Sequence, residues 1–524
     1  MEVQDKLTES VMSVSSATMV SRILGYLRDM VIANVFGAGL AADAYFVAYR
    51  IPNLLRRLLG EGALSASLIP VFSEYRERRG EEEARVFIQG ISRVLSVLLV
   101  FITVGGIITA PLIVRLIAPG FISDTEKFRL TVTLTRIMFP FLLAISFAAL
   151  SMGILNTLHY FFIPALAPCF LSISEILFVL FICPLLETPI KGLAAGVLMG
   201  GFAQFAFQLP AIYKNGYGLS FWRKLREAIS HPGVKRVGLL MLPAAWGLSV
   251  VQINVFVDTI LATLLEEGSV TALYYATRLY HLPLALFGTA VSTVTLPLFS
   301  HARAIRKERR WKEIFSLGNR MVLFTLLPSA MGFMIIGKPI IALLFERGAF
   351  DSVATVRTSW ALLFYALGLV AFGAMRILVA GFYSLEDTRT PVKVATAACL
   401  LNIVLNLALM GPLKVGGLAL ATSLAGGFNV IALFIILRKK LGPLGGKEIL
   451  ISLMKFLLAT ILTGVMVWFI MFRVLVGMPL LFRVFIVILL ACGIYVLLTL
   501  ILGCREVYYF KEFVLRRNTS QDEV

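Results

Sequence analysis

The residues with chemistry to offer are arginines and carboxylates set inside apolar runs. MVSRILGYLRDMVIANVFGAG carries Arg22, Arg28 and Asp29, and DAYFVAYRIPNLLRRLLGEG carries Asp43, Arg50, Arg56, Arg57 and Glu61. Farther along, Asp258 interrupts VQINVFVDTILATLL, and Arg278 and His281 interrupt the next run. A charge at the middle of a bilayer costs at least about 2.5–3.5 kcal/mol, so it normally faces protein or water and serves a purpose.

Helical spacing decides which of these can cooperate. Arg22, Gly25 and Asp29 share a face at i, i+3, i+7, while Arg28 lies about 100° from Asp29. Arg50, Asn53 and Arg57 form a second stripe with Arg56 beside it, and Tyr274, Arg278 and His281 form a third. Pro52 and Pro283 are placed to bend their helices and help open a cavity. Arginine stays charged when partly desolvated and forks onto phosphate oxygens, so several together suit a pyrophosphate better than a cation or neutral sugar. The plainer alternative is internal ion pairing, Arg57 with Glu61 at i, i+4 and Arg28 with Asp29. His281 reads as cavity lining or helix packing.

A second constellation carries oxygen. Asp258, with Asn402 and Asn406 at i, i+4 and Thr422 in the following run, offers one carboxylate and neutral oxygens. That set suits Na⁺ or a proton, and equally suits hydrogen-bonded helix packing.

Much chemistry is excluded. There is no GxxxxGK[ST] loop for ATP. His159, His231, His281 and His301 show no metal spacing, and GEEEAR (Gly80–Arg85) reads as a solvated loop. Cys169, Cys183, Cys399, Cys492 and Cys504 lack CxxC spacing, so neither zinc nor a disulfide framework is expected. No resident cofactor is expected.

The elements that must position these residues are membrane helices. Of 524 residues 59% are hydrophobic and only 15% charged, and apolar runs recur from end to end. Backbone groups in lipid must be satisfied internally, and long unbroken runs select helices over a barrel. We read about fourteen spans: 13–36, 42–71, 87–114, 130–157, 164–186, 191–213, 236–265, 271–300, 317–337, 357–384, 392–411, 416–438, 450–472 and 483–503. The polar Met1–Ser10 and the arginines in the first span are unlike a signal peptide, so that span is expected to stay.

The net charge of +18 collects in alternate loops, around Arg76–Arg85, Lys214–Arg236, Arg303–Arg320, Arg389–Lys393, Arg438–Lys447 and after Arg505. That asymmetry places these loops and both termini in the cytoplasm and points to anionic headgroups rather than nucleic acid. Within the second of them, Leu219–Ile229 is basic and amphipathic and should lie on the membrane surface.

An internal repeat organises the chain at a lag of about 227 residues. AYFVAYR (Ala44–Arg50) aligns with ALYYATR (Ala272–Arg278), and IPVFS (Ile69–Ser73) with LPLFS (Leu296–Ser300). Gly153 and Pro164 match Gly381 and Pro391, and GLAAGVLMGGF (Gly192–Phe202) matches GLALATSLAGGF (Gly417–Phe428). Gly192, Gly196, Gly200 and Gly201 should form a small-residue packing face. The expected architecture is an all-α polytopic membrane protein with two six-helix lobes in parallel repeat, 1–215 and 236–440. A linker at 216–235 joins them, and an added helix pair with a basic tail occupies 441–524. Transporters built from such repeats hold substrate between halves and rock to expose it alternately.

Several segments carry a specific resemblance. SRILGYLRD (Ser21–Asp29), FGAGLAADAYFVAYRIPNLLRRLLGEGALS (Phe36–Ser65), YYATRL (Tyr274–Leu279), GFYSLEDTRTPVK (Gly381–Lys393) and GPLKVGGLAL (Gly411–Leu420) resemble the MurJ/MviN family over nearly the whole chain. Members flip lipid II during bacterial peptidoglycan synthesis. The resemblance implies the multidrug/oligosaccharidyl-lipid/polysaccharide exporter fold in the inner membrane. It implies a cationic cavity lined by the first, second, seventh and eighth helices, and a groove for the undecaprenyl tail on the last two. It assigns substrate binding to Arg22, Arg28, Arg56 and Arg278 with Asp29 and Asp43 as acidic partners, choosing Arg56 where the stripe favoured Arg57. Arg50 stands where relatives have lysine.

It also implies an Na⁺ site resembling Asp258, Asn402, Asn406 and Thr422, a carboxylate that members do not all share. Expected partners are lipid II, membrane lipids and a cell-wall synthesis complex, with the chain itself a monomer. Membrane potential, Na⁺ or protons remain open as the energy source. The rivals are another polyprenyl-linked oligosaccharide flippase, a cation-coupled multidrug antiporter of the same fold, an enzyme acting on polyprenyl phosphates and a scaffold.

Overall fold

The computed structural model describes residues 2–56, 64–221 and 225–509, and every regular element among them is helical. The helices are α1 (Glu2–Phe36), α2 (Leu40–Leu55), α3 (Ser65–Arg78), α4 (Glu81–Ile117), α5 (Thr125–Met138) and α6 (Phe141–Thr157). Next come α7 (Phe162–Leu166), α8 (Pro168–Leu177), α9 (Pro189–Lys214), α10 (Leu225–Ser230), α11 (Pro232–Thr263), α12 (Ser269–Pro283) and α13 (Thr289–Ala304). The last are α14 (Glu308–Phe345), α15 (Ser352–Ser384), α16 (Arg389–Leu413), α17 (Val415–Leu441), α18 (Gly446–Phe469) and α19 (Leu480–Ile501).

Among the described residues eleven helical segments are long and apolar enough to cross a membrane. The three expected spans outside that set, the first, second and seventh, fall on α1, on α2 with α3, and on α11. Large apolar side chains stay outward-facing on the long helices, among them Phe101, Ile108 and Leu116 on α4 and Phe482, Phe485 and Ile501 on α19. That distribution fits hydrocarbon as the solvent.

The chain divides into two compact units, Met1–Thr271 with Arg347–Asp351, and Ala272–Glu346 with Ser352–Val524. In the first, α3, α4 and α6 enclose a core of Leu68, Phe72, Phe87, Ile91, Leu150 and Ile154. The expected glycine face packs α9 on the α8 segment: a Cβ on Gly196 would lie 2.8 Å from Phe178 Cβ, and one on Gly200 2.9 Å from Leu171 Cα. Such spacing admits only small residues. Gly37 ends α1 at φ +61, and a Cβ there would fall 2.2 Å from the Ala349 carbonyl oxygen. Glycine is required at that position for both reasons.

Part of the expected amphipathic segment, residues 222–224, lies outside the described residues. The remainder packs on α4: Ser220 N–H donates to Ser92 Oγ at 3.1 Å, and Arg93 Nε donates to Ser220 Oγ at 3.0 Å. Ala228 of α10 is buried and borders Gly90.

In the second unit, α18 and α19 pack on α14 through Phe324, Phe456 and Tyr495, with the Tyr495 hydroxyl donating to the Phe324 carbonyl at 2.9 Å. Buried Glu506 accepts from Arg320 Nη1 at 2.8 Å and from Ser452 Oγ at 3.1 Å, closing the end of this helix pair. Pro283 ends α12, and a wide π-helical turn, Leu284–Gly288, follows it.

Candidate functional site

A buried polar cluster in the first unit joins α1, α2 and α8. Arg28 is only 6% exposed. Its Nε and Nη2 donate to Asp29 Oδ1 at 3.1 and 2.7 Å, and its Nη1 donates to Glu175 Oε1 at 3.3 Å. The other Glu175 oxygen accepts from the Tyr45 hydroxyl at 3.1 Å. Adjacent helix positions point about 100° apart, yet the long arginine stem folds back far enough to meet its neighbour. Two carboxylates therefore neutralise and orient one buried guanidinium. A buried charge held by hydrogen-bonded partners avoids most of the penalty of an unpaired one.

Glu175 was missed in the sequence, although it is a lone acid in the apolar run LSISEILFVL. The intramembrane-charge criterion that singled out Asp258 applies to it equally.

The other arginines occupy different settings. Arg22 is exposed on α1 and makes no ion pair among the described residues. Half-buried Arg56 donates from Nε to Asn53 Oδ1 at 2.9 Å, while Arg57 and Glu61 lie outside the described residues. Arg50 Nη1 donates to the Val255 carbonyl at 3.2 Å and to Thr259 Oγ1, attaching α2 to α11. Arg278 belongs to the second unit, where its guanidinium sits 5.8 Å from the Tyr274 ring centre one turn earlier. His281 is exposed and stacks on Tyr280 at 4.4 Å.

Asp43 is fully engaged. Its Oδ2 pairs with Lys127 Nζ at 2.9 Å and accepts the Gly268 N–H at 2.8 Å. Its Oδ1 accepts the Thr271 N–H at 3.0 Å and the Thr271 hydroxyl at 2.8 Å. The carboxylate thus caps the first turn of α12, whose opening residues belong to the first unit, where the helix dipole favours a negative charge. Lys127 is buried, with its ammonium 4.3 Å from the Phe121 ring centre. Nothing in the sequence around Lys127 pointed to this partner.

Three members of the expected cation set meet in the second unit. Asn406 Nδ2 donates to Asn402 Oδ1 at 2.8 Å, and Asn402 Nδ2 donates to Thr422 Oγ1 at 3.3 Å. Both asparagines are wholly buried, and their amides link α16 to α17. Asp258 lies on α11 in the first unit.

The loop motif that carried much of the resemblance has a local purpose. Asp387 accepts the Thr390 N–H at 2.9 Å and the Thr390 hydroxyl at 2.7 Å, and pairs with Lys440. The Lys440 ammonium, reinforced by both Thr390 bonds, holds the Asp387 carboxyl well below the usual carboxylate range. The motif starts α16 and clasps the end of α17.

A repeated all-helical membrane fold with buried arginine–carboxylate chemistry in its spans defines a polytopic transporter. The family described as lipid II flippase MurJ matches residues 32–489, and the chain belongs to that family. The probable lipid II flippase MurJ of Vibrio cholerae is 39% identical over 439 residues, covering 82% of this chain and 83% of that protein. The lipid II flippase MurJ of Burkholderia cenocepacia is 36% identical over 434 residues, covering 83% and 84%. A solved lipid II flippase MurJ in an inward closed conformation matches with TM-score 0.78 and 29% identity over 96% of this chain and 99% of that one. An inward-facing multidrug resistance MATE family transporter of the MOP superfamily shares the fold, with TM-score 0.66 at 15% identity over 83% of this chain and 99% of that chain.

Proposed function

We propose that the chain moves lipid II, an undecaprenyl-pyrophosphate-linked peptidoglycan precursor, from the cytoplasmic to the periplasmic leaflet by alternating access. Membership of the flippase family carries this reading. The chain is a transporter and not an enzyme.

Arg22, Arg28, Arg56 and Arg278 receive the pyrophosphate. Arg28 is well prepared for this, because Asp29 and Glu175 hold its guanidinium at a fixed orientation while substrate is away. An arriving phosphate presents a pair of anionic oxygens to the planar guanidinium fork as a carboxylate does, so the exchange needs little reorganisation of Arg28. Asp29 and Asp43 act as acidic partners that position cations rather than contact phosphate. The six-helix lobes at 1–215 and 236–440 are the rocking bodies, and the added helices beyond 441 accommodate the polyprenyl tail.

Positive-inside asymmetry supports cytoplasmic termini and cytoplasmic loops around Arg79, Arg226, Arg309 and Arg389. Segments near Asp124, Glu187 and Glu346 are then periplasmic. Asp258 with Asn402, Asn406 and Thr422 is the proposed cation set, and Na⁺ or a proton would reset the carrier.

The decisive experiment is translocation of labelled lipid II by the purified chain in proteoliposomes. Transport of lipid II in preference to a cationic drug supports the reading, and the reverse preference overturns it in favour of the antiporter rival.

A further inference from the structure

At one end of the second unit, the end of α13, the start of α14 and the ends of α15 and α17 border a cavity of about 400 Å³. Arg303, Arg306, Glu308, Trp311, Leu385 and Leu441 line it. The floor is rigid: Trp311 is buried, stacked 4.7 Å from Phe299, and donates from Nε1 to Ser384 Oγ at 3.0 Å. Both arginines are exposed and make no ion pair among the described residues.

The corresponding corner of the first unit is closed. At the repeat lag, Arg76, Arg79 and Glu81 stand where Arg303, Arg306 and Glu308 stand in the second half. There Arg76 Nε donates to Glu81 Oε1 at 2.8 Å, and the Tyr217 hydroxyl donates to the other carboxylate oxygen. The Tyr217 ring is fully buried, 5.2 Å from Phe72 and edge-on to it. The chain leaving α9 therefore fills its own corner and neutralises its own arginine.

The second half lacks both devices. The chain leaving α17 runs Leu441–Gly442–Pro443–Leu444, so buried Leu444 stands near the place of Tyr217 without a hydroxyl. Glu308 pairs with Lys312 at 2.8 Å and not with Arg303. What remains is an opening with two exposed forks, neither in an ion pair among the described residues, above an apolar floor. Such a combination selects an anion with directional oxygens, and the apolar floor accepts the carbon that adjoins it.

We propose that this corner binds a phosphate-bearing anion through Arg303 and Arg306. The phosphate can come from a phospholipid headgroup at the adjoining leaflet or from free phosphate in solution.

The test uses the full chain in neutral detergent. Binding is read as stabilisation by phosphatidylglycerol, by phosphatidylcholine and by inorganic phosphate. The pocket variant is Arg303→Ala with Arg306→Ala. The control is Arg309→Ala with Arg310→Ala, which removes the same charge from neighbouring exposed positions. We expect the pocket variant to lose at least about tenfold in apparent affinity for phosphatidylglycerol, the loss of charge-assisted forks, while the control changes by less than about twofold. Arg303→Lys with Arg306→Lys should fall between, since it keeps charge without the fork. Stabilisation by inorganic phosphate alone identifies the free anion as ligand, and stabilisation by phosphatidylglycerol without stabilisation by inorganic phosphate identifies the headgroup. Equal losses in pocket variant and control, or no loss in the pocket variant, overturn the proposal. Unliganded thermal unfolding of each variant checks that these surface changes leave the fold intact.

Discussion

Arg28 on α1 and Glu175 on α8, distant in sequence, meet at 3.3 Å with 7% and 1% of their side chains exposed. A guanidinium that could meet substrate is therefore aimed by a carboxylate from another helix, and that carboxylate is itself held by Tyr45. Glu175→Ala should lower the unfolding temperature, because breaking a buried pair from one side costs about 3–5 kcal/mol. Glu175→Gln keeps an acceptor for Tyr45 and should fold, yet translocate lipid II more slowly because Arg28 is less firmly aimed. Thermal unfolding beside proteoliposome transport separates the two effects. Unchanged transport by a folded Glu175→Gln would restrict Glu175 to structure.

The Asp43–Lys127 pair should behave as a coupled unit. Either Asp43→Ala or Lys127→Ala leaves one buried charge without its ionic partner, with an expected loss of about 3–5 kcal/mol. The double variant should lose less than the sum of the two. Asp43 also caps α12, so Asp43→Ala should exceed Lys127→Ala by about 1 kcal/mol. A cycle measured by chemical unfolding checks this, and strict additivity would contradict a direct coupling.

Asp387 supplies a pH dependence of known sign. Lys440 and Thr390 hold its folded-state carboxyl below the ordinary value. Its contribution is therefore present above about pH 3.9, the unfolded value, and is lost as pH falls toward the folded one. Asp387→Asn should remove that component, flattening the acid limb of the stability profile while lowering stability near neutral pH. An unchanged acid limb in the variant would assign it to other carboxylates.

Cation coupling makes a narrower claim. Asp258→Asn should weaken any Na⁺ dependence of transport, since neutral oxygens supply dipoles without net charge. Asn402→Ala should weaken it less while loosening the α16–α17 contact that its amide makes with Thr422. Transport assayed across a sodium series in both variants is the check. An identical response in wild type and Asp258→Asn would leave Asp258 a packing residue.

How much of this was legible depends on the range of each interaction. The helical fold, the glycine face and the Asn402–Asn406 bond follow from periodicity, because all depend on spacing within one helix or on gross polarity. The meetings of Arg28 with Glu175 and of Asp43 with Lys127 join helices far apart in sequence. Periodicity names the face a residue occupies and leaves open which helix that face will meet. Glu175 could still have been flagged as a candidate from its apolar surroundings, whereas Lys127 opens a helix of ordinary amphipathic character and gave no such signal. Tyr217 was hidden for another reason: its role appears only when the two halves are compared corner by corner.

The arginines carry the sharpest expectation. Arg28→Ala and Arg278→Ala should each abolish lipid II translocation, for different structural reasons. Removing Arg28 takes from both Asp29 and Glu175 the guanidinium that each pairs with, so stability should fall together with transport. Arg278 rests against the Tyr274 ring, so the unfolding temperature of Arg278→Ala shows how much of its effect comes from lost structural contacts and how much from lost substrate binding. Lysine should rescue both only in part, restoring charge without the fork. Lipid II binding and flipping by purified variants, beside thermal unfolding, test this. Normal flipping by a stably folded Arg278→Ala would sink the pyrophosphate role of that residue. A stable, flipping Arg28→Ala would remove the buried cluster from the transport mechanism, since the cation that joins Asp29 to Glu175 would then be dispensable.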